Sequence, residues 1–323
     1  MSASLAVRRL AEPWRITICL GVFAFLALGI ATRSFRVYHL FMLLAIPGAI
    51  VAAERGRQFF LDWAPLATTW IVYDRFRLIQ SWLLSRVSVE APYRVEQWLF
   101  GWLSNGLTPP HAARAWLAAH AASPVWHAVA VAAQGVYVAH IFVYPALFLA
   151  WWFRGRSHAR DRERFTRHVR AFTVVNLLGF ALYLLVPVAP PWWVSVNGFA
   201  TPTTDLVATV NIAAAMDGEL IRRTITTAPN WFAAVPSLHG AYPVLLFLLA
   251  WRERARARWL VTLAVWGVAM WGATVLLNQH YIVDLLAGAA VAGAALWISE
   301  RLPGWSILPR GGGPCEGREL RRS

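Results

Sequence analysis

Residues 259–299 read WLVTLAVWGVAMWGATVLLNQHYIVDLLAGAAVAGAALWIS. Trp259–Leu277 and Tyr281–Ser299 are apolar runs, separated only by Asn278, Gln279 and His280. About 20 apolar residues in helical form cross the hydrocarbon core of a bilayer. Each run is therefore a candidate span, and the three polar residues mark the turn between them. Lipid accepts such a segment only if its backbone groups are paired internally, as in a helix. The stretch predicts an all-α polytopic membrane helix bundle with His280 at the end of a span.

The rest of the chain repeats the signal. Of 323 residues, 58% are hydrophobic and 14% charged, against roughly 25% charged in a soluble domain. Further spans are expected at Trp14–Ala31, Val37–Ala53, Pro124–Phe153, Phe172–Val188 and Val235–Trp251. A weaker segment, Phe59–Trp82, is interrupted by Asp62, Asp74, Arg75 and Arg77, and reads as tilted, interfacial or re-entrant. Two long loops remain. Leu83–Ser123 carries Trp98, Trp102 and Trp116 at spacings that suit amphipathic helices lying in the interface. Ala189–Asn230 opens with Ala189-Pro190-Pro191-Trp192-Trp193, which ends a helix sharply and sets two indoles at headgroup level.

The formal net charge is +14, and all 30 basic residues are arginine. Without lysine there is no Schiff base and no Walker-type phosphate lysine. The arginines cluster between apolar runs: Arg8, Arg9 and Arg15; Arg55 and Arg57; the segment Arg154–Arg170; Arg252, Arg254, Arg256 and Arg258; and the tail after Arg301. This is the pattern of cytoplasmic loops, not of a nucleic-acid surface. All clusters share one side only if the weak segment crosses, so the count is about six to eight spans, with both termini cytoplasmic when it is eight. Cys19 lies in the first run and Cys315 in the tail, at different levels, and they match neither a disulfide nor a metal motif. The first run is read as a retained anchor.

Two histidines fall at the outer ends of spans. His239 sits in Pro236-Ser237-Leu238-His239-Gly240, and His280 is followed four residues later by Asp284. On a helix, His280 and Asp284 share a face. The carboxylate can accept from one ring nitrogen, which fixes the tautomer and leaves the other nitrogen as a basic lone pair. A His/Asp pair at this spacing can also be a local tie, and a lone histidine in an apolar span is ordinarily a packing residue; His127 and His140 read that way. Ionisable groups in a membrane span are costly, and two histidines on one membrane face point to chemistry.

Taken together, Pro236-Ser237-Leu238-His239 and His280-x-x-x-Asp284-x-x-x-Gly288 resemble the second and third signatures of the type 2 phosphatidate phosphatase superfamily. Leu238 in place of glycine, and Tyr281 after the second histidine, are similar to its inositol phosphorylceramide synthase branch. The proline-rich helix end, Leu185-Val186-Pro187-Val188-Ala189-Pro190-Pro191-Trp192, fits the same branch. The resemblance spans about residues 60–300. It implies a metal-independent reaction without cofactor, in an extracytoplasmic cleft of the cell membrane. His280 would attack phosphorus, Asp284 would orient it, and His239 would act first as acid and then as base. The superfamily's first signature, Arg-Pro preceded by a basic residue, is missing, and Thr274 stands where the third signature has arginine. Phosphate still needs donors. The candidates are Arg75, Arg222, Arg223, Asn278, Gln279 and the Ser237 hydroxyl.

The partner implied is a membrane lipid, a phospholipid or a polyprenyl phosphate. Attack by a lipid hydroxyl would make the protein a transferase of a phosphoinositol-like group, and attack by water a lipid phosphatase. A transporter with a His/Asp proton relay is the reading of another class, favoured by an inverted repeat that the sequence does not contain. A purely structural scaffold leaves the paired motifs without a reason. The expected division is an anchor pair at 1–58, a catalytic membrane domain at 59–300 and a basic tail at 301–323.

Overall fold

The computed structural model describes residues 56–211 and 228–302, together with Ala24 and Thr226. Apart from Ala24, the spans expected at Trp14–Ala31 and Val37–Ala53 lie outside the described residues, as do both cysteines, Arg222, Arg223 and the tail beyond Leu302. The described chain is helical. In order the helices are α1 (Gly56–Asp74), α2 (Phe76–Leu84), α3 (Glu90–Phe100), α4 (Pro109–Ala119), α5 (Pro124–Arg154), α6 (Ala159–Leu185), α7 (Pro191–Asn197), α8 (Thr204–Thr209), α9 (Leu238–Arg252), α10 (Ala257–Leu276) and α11 (Ile282–Arg301). Among them α5, α6, α10 and α11 are long and apolar enough to cross a membrane.

The expected span at Val235–Trp251 is helical only from Leu238, and α9 has 15 residues. That is about 22 Å at 1.5 Å per residue, short of the ~30 Å hydrocarbon core. The late start has a local cause. Pro236 disfavours helical backbone at the residue before it, and the Ser237 hydroxyl caps the helix, accepting from the Gly240 N–H at 3.1 Å. α9 packs on α11, α10 and α6. Leu245 and Leu249 of α9 are buried with Phe180 and Tyr183 of α6 and Ala292 and Ala295 of α11.

The weak segment is helical on both sides of Arg75, where α1 stops and α2 begins. Its charges have partners. Asp62 accepts from the Arg162 guanidinium through both oxygens and from the Trp152 indole at 2.9 Å. Arg162 belongs to the arginine-rich stretch, which is not all loop: helix α6 begins at Ala159. Arg164 and Arg167 of the same stretch reach Glu253 beyond α9, at 2.8 and 3.5 Å. These ion pairs tie together the helix ends that carry the arginines.

The loop expected to be amphipathic is so. α3 and the short 3-10 turn after it expose Trp98 and Trp102 by 81% and 78% while burying Glu96. The two indoles of the proline-rich end behave differently from expectation. Trp192 and Trp193 are buried within the protein, in a cluster with Ala189, Phe232, Ala273 and Leu277. The reason is that α7 folds down over the α10–α11 turn: the Trp192 N–H donates to the Asn278 carbonyl at 3.0 Å, and the Trp193 indole to the Ala200 carbonyl at 3.0 Å. Segments flanking Ser88, Val188 and Ala233 bridge side by side, so the proline-rich end holds the approach to Pro236.

α9 and α11 touch at their N-terminal turns. The Ser237 N–H donates to the Asp284 carbonyl at 3.0 Å. A Cβ on Gly288 would stand 2.2 Å from the Ser237 carbonyl oxygen, and one on Gly240 would stand 3.0 Å from Leu285 Cα. Only residues without a Cβ permit this approach. Gly288→Ala is therefore expected to force the helices apart, at about 1–3 kcal/mol for overpacking, with a thermal midpoint in detergent several degrees lower. Gly293→Ala on the same helix, where a Cβ meets open space, is the control. Equal midpoints for the two variants would contradict the contact.

Candidate active site

The α9–α11 contact brings two imidazoles together, tilted by 50° and meeting through ring nitrogens. His239 Nδ1 lies 3.2 Å from His280 Nε2, with ring centroids 5.3 Å apart. His239 is in the first turn of α9, and His280 closes the turn between α10 and α11. That turn needs Asn278 in the left-handed region, at φ 59°, which asparagine tolerates better than most residues. Behind His280, its Nδ1 stands 3.4 Å from Asp284 Oδ2, and the same oxygen accepts the Tyr281 N–H at 2.8 Å. Asp284 is fully buried and His280 nearly so. With the Nδ1 proton of His280 directed to the carboxylate, its Nε2 keeps the lone pair, and His239 Nδ1–H donates into it. The 3.4 Å separation is long for a hydrogen bond, as catalytic contacts often are before substrate tightens them.

The other expected residues fall into three groups. Ser237 is buried, and its hydroxyl caps α9. Asn278 donates from its side chain to Ser195 Oγ at 2.8 Å, and Gln279 from its side chain to the Leu277 carbonyl at 2.9 Å; both are buried and both build the turn. Arg75 stands beside the buried Asp74 at 3.7 Å, with Arg77 on the other side at 3.3 Å. Arg77 also reaches the Ala228 carbonyl at 3.5 Å. The break at Arg75 is linked to the segment leading into α9, because Phe76 packs edge-on against Tyr183, and Tyr183 Oη donates to the Pro236 carbonyl at 3.0 Å. Arg222 and Arg223 lie outside the described residues.

Several residues at the site carried no distinguishing sequence signal. His140 of α5, read as a packing histidine, stands edge-on to His239 with centroids 4.4 Å apart, while Tyr137 stacks on the other ring direction at 4.5 Å. His140 Nδ1 is tied to the Tyr137 carbonyl, so these two side chains confine the His239 ring from α5. Their i, i+3 spacing is the one available hint, and many packing pairs share it. Around Tyr281 lies an aromatic cluster of Tyr93, His111 and Phe199. His111 is half-buried there; desolvation first, then the positive charge of Arg114, holds its pKa down to about 4, so it is neutral. Glu96 reaches over from α3 to the first turn of α11, its two oxygens accepting the Ile282 and Val283 N–H groups at 2.9 and 3.0 Å.

A membrane helix bundle with two imidazoles in contact and a buried carboxylate behind one of them defines a phosphatase or phosphotransferase acting on membrane lipids. The chain belongs to the PAP2 superfamily, whose family profile matches residues 95–298. It is 31% identical over 288 residues to the phosphoinositol dihydroceramide synthase of Bacteroides thetaiotaomicron, covering 86% of this chain and 88% of that one. It is also 32% identical over 128 residues to the inositol phosphorylceramide synthase of Candida albicans, 38% of this chain and 26% of the relative. The catalytic subunit of the Saccharomyces cerevisiae inositol phosphorylceramide synthase is 29% identical over 124 residues, 36% of this chain and 30% of the relative. No solved structure matches significantly.

Tyr183→Phe deletes the hydroxyl that holds the Pro236 carbonyl. Hydrogen bonds of this kind between membrane helices are worth roughly 0.6–1.7 kcal/mol. The expected result is a small fall in thermal midpoint and a several-fold fall in turnover as the His239 turn loosens. Unaltered turnover would mean that the turn is set by other contacts.

Proposed function

We propose that this enzyme transfers a phosphoinositol group from a phospholipid to the hydroxyl of a ceramide-like acceptor, through a histidine-bound intermediate. The observation that carries the reading is the 3.2 Å meeting of His239 Nδ1 and His280 Nε2 with Asp284 behind. The identity to a phosphoinositol dihydroceramide synthase over most of both chains supports the group transferred and the acceptor class.

In the proposed reaction the phosphodiester enters between the two rings and displaces their hydrogen bond. His280 Nε2 attacks phosphorus, and the bond from phosphorus to the diacylglycerol oxygen breaks. His239, entering the step as the imidazolium, gives the departing oxygen its Nδ1 proton and is left neutral. Asp284 holds the Nδ1–H of His280 and stabilises the positive imidazole that forms. The acceptor hydroxyl then gives its proton to His239, its oxygen bonds to phosphorus, and Nε2 leaves. Water in place of the acceptor would complete a hydrolysis. Among the cations expected to face the phosphoryl oxygens, Arg75 is supported by its place at the helix break linked to the segment leading into α9. Asn278, Gln279 and Ser237 serve by shaping the turn and the helix cap that present the histidines.

An apolar groove of about 670 Å³ supports a lipid substrate. Pro243, Phe247, Gly267, Trp271 and Leu285 line it, between α9, α10 and α11. The Trp271 indole donates to the Gly240 carbonyl at 3.2 Å, so the groove begins beside His239. The histidines lie at the N-terminal ends of α9 and α11, and Arg252 and Arg301 lie in the last turns of the same helices. By the positive-inside rule this orientation supports a site on the extracytoplasmic side of the cell membrane.

The test is turnover of labelled phosphatidylinositol with a short-chain ceramide by the purified protein, with and without EDTA. Transfer that resists EDTA is expected. His280→Ala and His239→Ala should each reduce it by more than about 10³-fold, by loss of nucleophile or of acid and base, and denaturing gels should trap label on the wild type but not on His280→Ala. Label trapped, or turnover retained, without His280 would overturn the mechanism.

A further inference from the structure

Glu96 presents an unusual expenditure of charge. It is fully buried, and among the described residues no cation is paired with it. A buried carboxylate is costly unless its oxygens are satisfied. Here they are satisfied by the first turn of α11: Oε1 accepts from Ile282 and Oε2 from Val283, while Asp284 Oδ2 takes the Tyr281 N–H. The first N–H groups of a helix have no partner inside it and carry its positive end. Glu96 thus supplies, from a helix far away in sequence, a two-pronged cap for the turn that holds Asp284 and follows His280. The opposite face of α3 exposes Trp98, a residue suited to the bilayer interface.

We propose that Glu96 is a positioning residue of the phosphotransfer site, clamping the first turn of α11 to the interfacial helix α3 so that His280 and Asp284 keep their register against His239. The role in turnover rests on the proposed function; the clamp itself does not. Two pH effects follow, with opposite signs. The ionisable groups around Glu96 are Asp284 and Tyr281 on α11, with Tyr93 on its own helix and His111 of α4 across the aromatic cluster. Burial raises the Glu96 pKa above its ordinary 4.5, the two amide hydrogen bonds pull it down, and the negative Asp284 adds to the rise. The folded protein therefore holds this proton more tightly than the unfolded chain, and the Glu96 contribution to global stability falls as pH rises through the raised value. Locally the sign reverses. The amides grip the ionised form better, so the first turn of α11 loosens as pH falls through the same range.

The test is amide hydrogen exchange of the full-length protein in detergent, with turnover measured on the same samples, for wild type, Glu96→Gln and Glu96→Asp. In Glu96→Gln the segment 281–285 should exchange at least tenfold faster, while the C-terminal half of α11 is unchanged. Its protection should lose the fall with acid that the wild type shows. kcat should drop at least tenfold with KM within about threefold, and Glu96→Asp, too short for both amides, should lie between. Equal exchange in wild type and Glu96→Gln overturns the clamp. Faster exchange with unaltered kcat overturns the positioning role. A wild type that is inactive on every lipid tried, with exchange behaving as described, overturns the proposed function and leaves the clamp standing.

Discussion

Everything at the site depends on how closely α9 and α11 approach at their first turns. Their backbones meet directly: the Ser237 N–H donates to the Asp284 carbonyl, and Gly288 lies against the Ser237 carbonyl with no room for a methyl group. A side chain at either glycine would set a spacing of its own choosing, whereas hydrogen-bonded backbone has one. The imidazoles inherit their 3.2 Å separation from that spacing. Pro236 contributes through its ring. It keeps the preceding residue out of helical backbone and Ser237 caps the helix, so α9 starts at Leu238 and its first turn lands opposite the first turn of α11.

The remaining elements hold that contact from three sides. From α6, Tyr183 holds the Pro236 carbonyl. From α5, Tyr137 and His140 confine the His239 ring. From above, α7 folds its tryptophans over the α10–α11 turn and takes the Asn278 carbonyl. The opposite ends of the bundle are held differently, by ion pairs among Asp62, Arg162, Arg164, Arg167 and Glu253. The division is physically reasonable: charge pairs sit where arginines gather near water, and neutral hydrogen bonds and ring contacts sit where lipid chemistry has to occur.

How far the sequence revealed this depended on whether a signal was local. His239, His280 and Asp284 were legible because each lies in a short motif whose spacing is itself the geometry. The exposure of Trp98 and Trp102 was legible from periodicity. What was not legible were contacts made at long range. Glu96 sits in an amphipathic segment among Glu90 and Arg94, where it reads as a solvated charge, and the amides it caps are nearly two hundred residues away. Asp62 reads as an interruption of a span until Arg162 is set beside it. Trp192 and Trp193 read as headgroup anchors because tryptophans after a proline break commonly are; only the fold of α7 onto Asn278 buries them. Val235–Trp251 reads as a full span because hydropathy counts apolar residues and does not register where a proline and a serine cap start the helix late.

The resting contact between the rings also bears on how transfer competes with hydrolysis in the proposed reaction. His280 is nearly inaccessible, and its lone pair is occupied by the His239 N–H. Water alone gains little by breaking that bond, since it offers one hydrogen bond for another. A phosphodiester offers more: phosphoryl oxygens for the His239 proton, an electrophile for the lone pair, and tails that bury apolar surface in the groove beside Trp271. The binding energy of the tails, remote from the reacting atoms, is then what separates the rings. In the proposed reaction the apolar groove beside Trp271 then guides a lipid hydroxyl held by its own chain, while water arrives unheld. Selection of acceptor over water thus follows from the same feature that keeps the empty site closed.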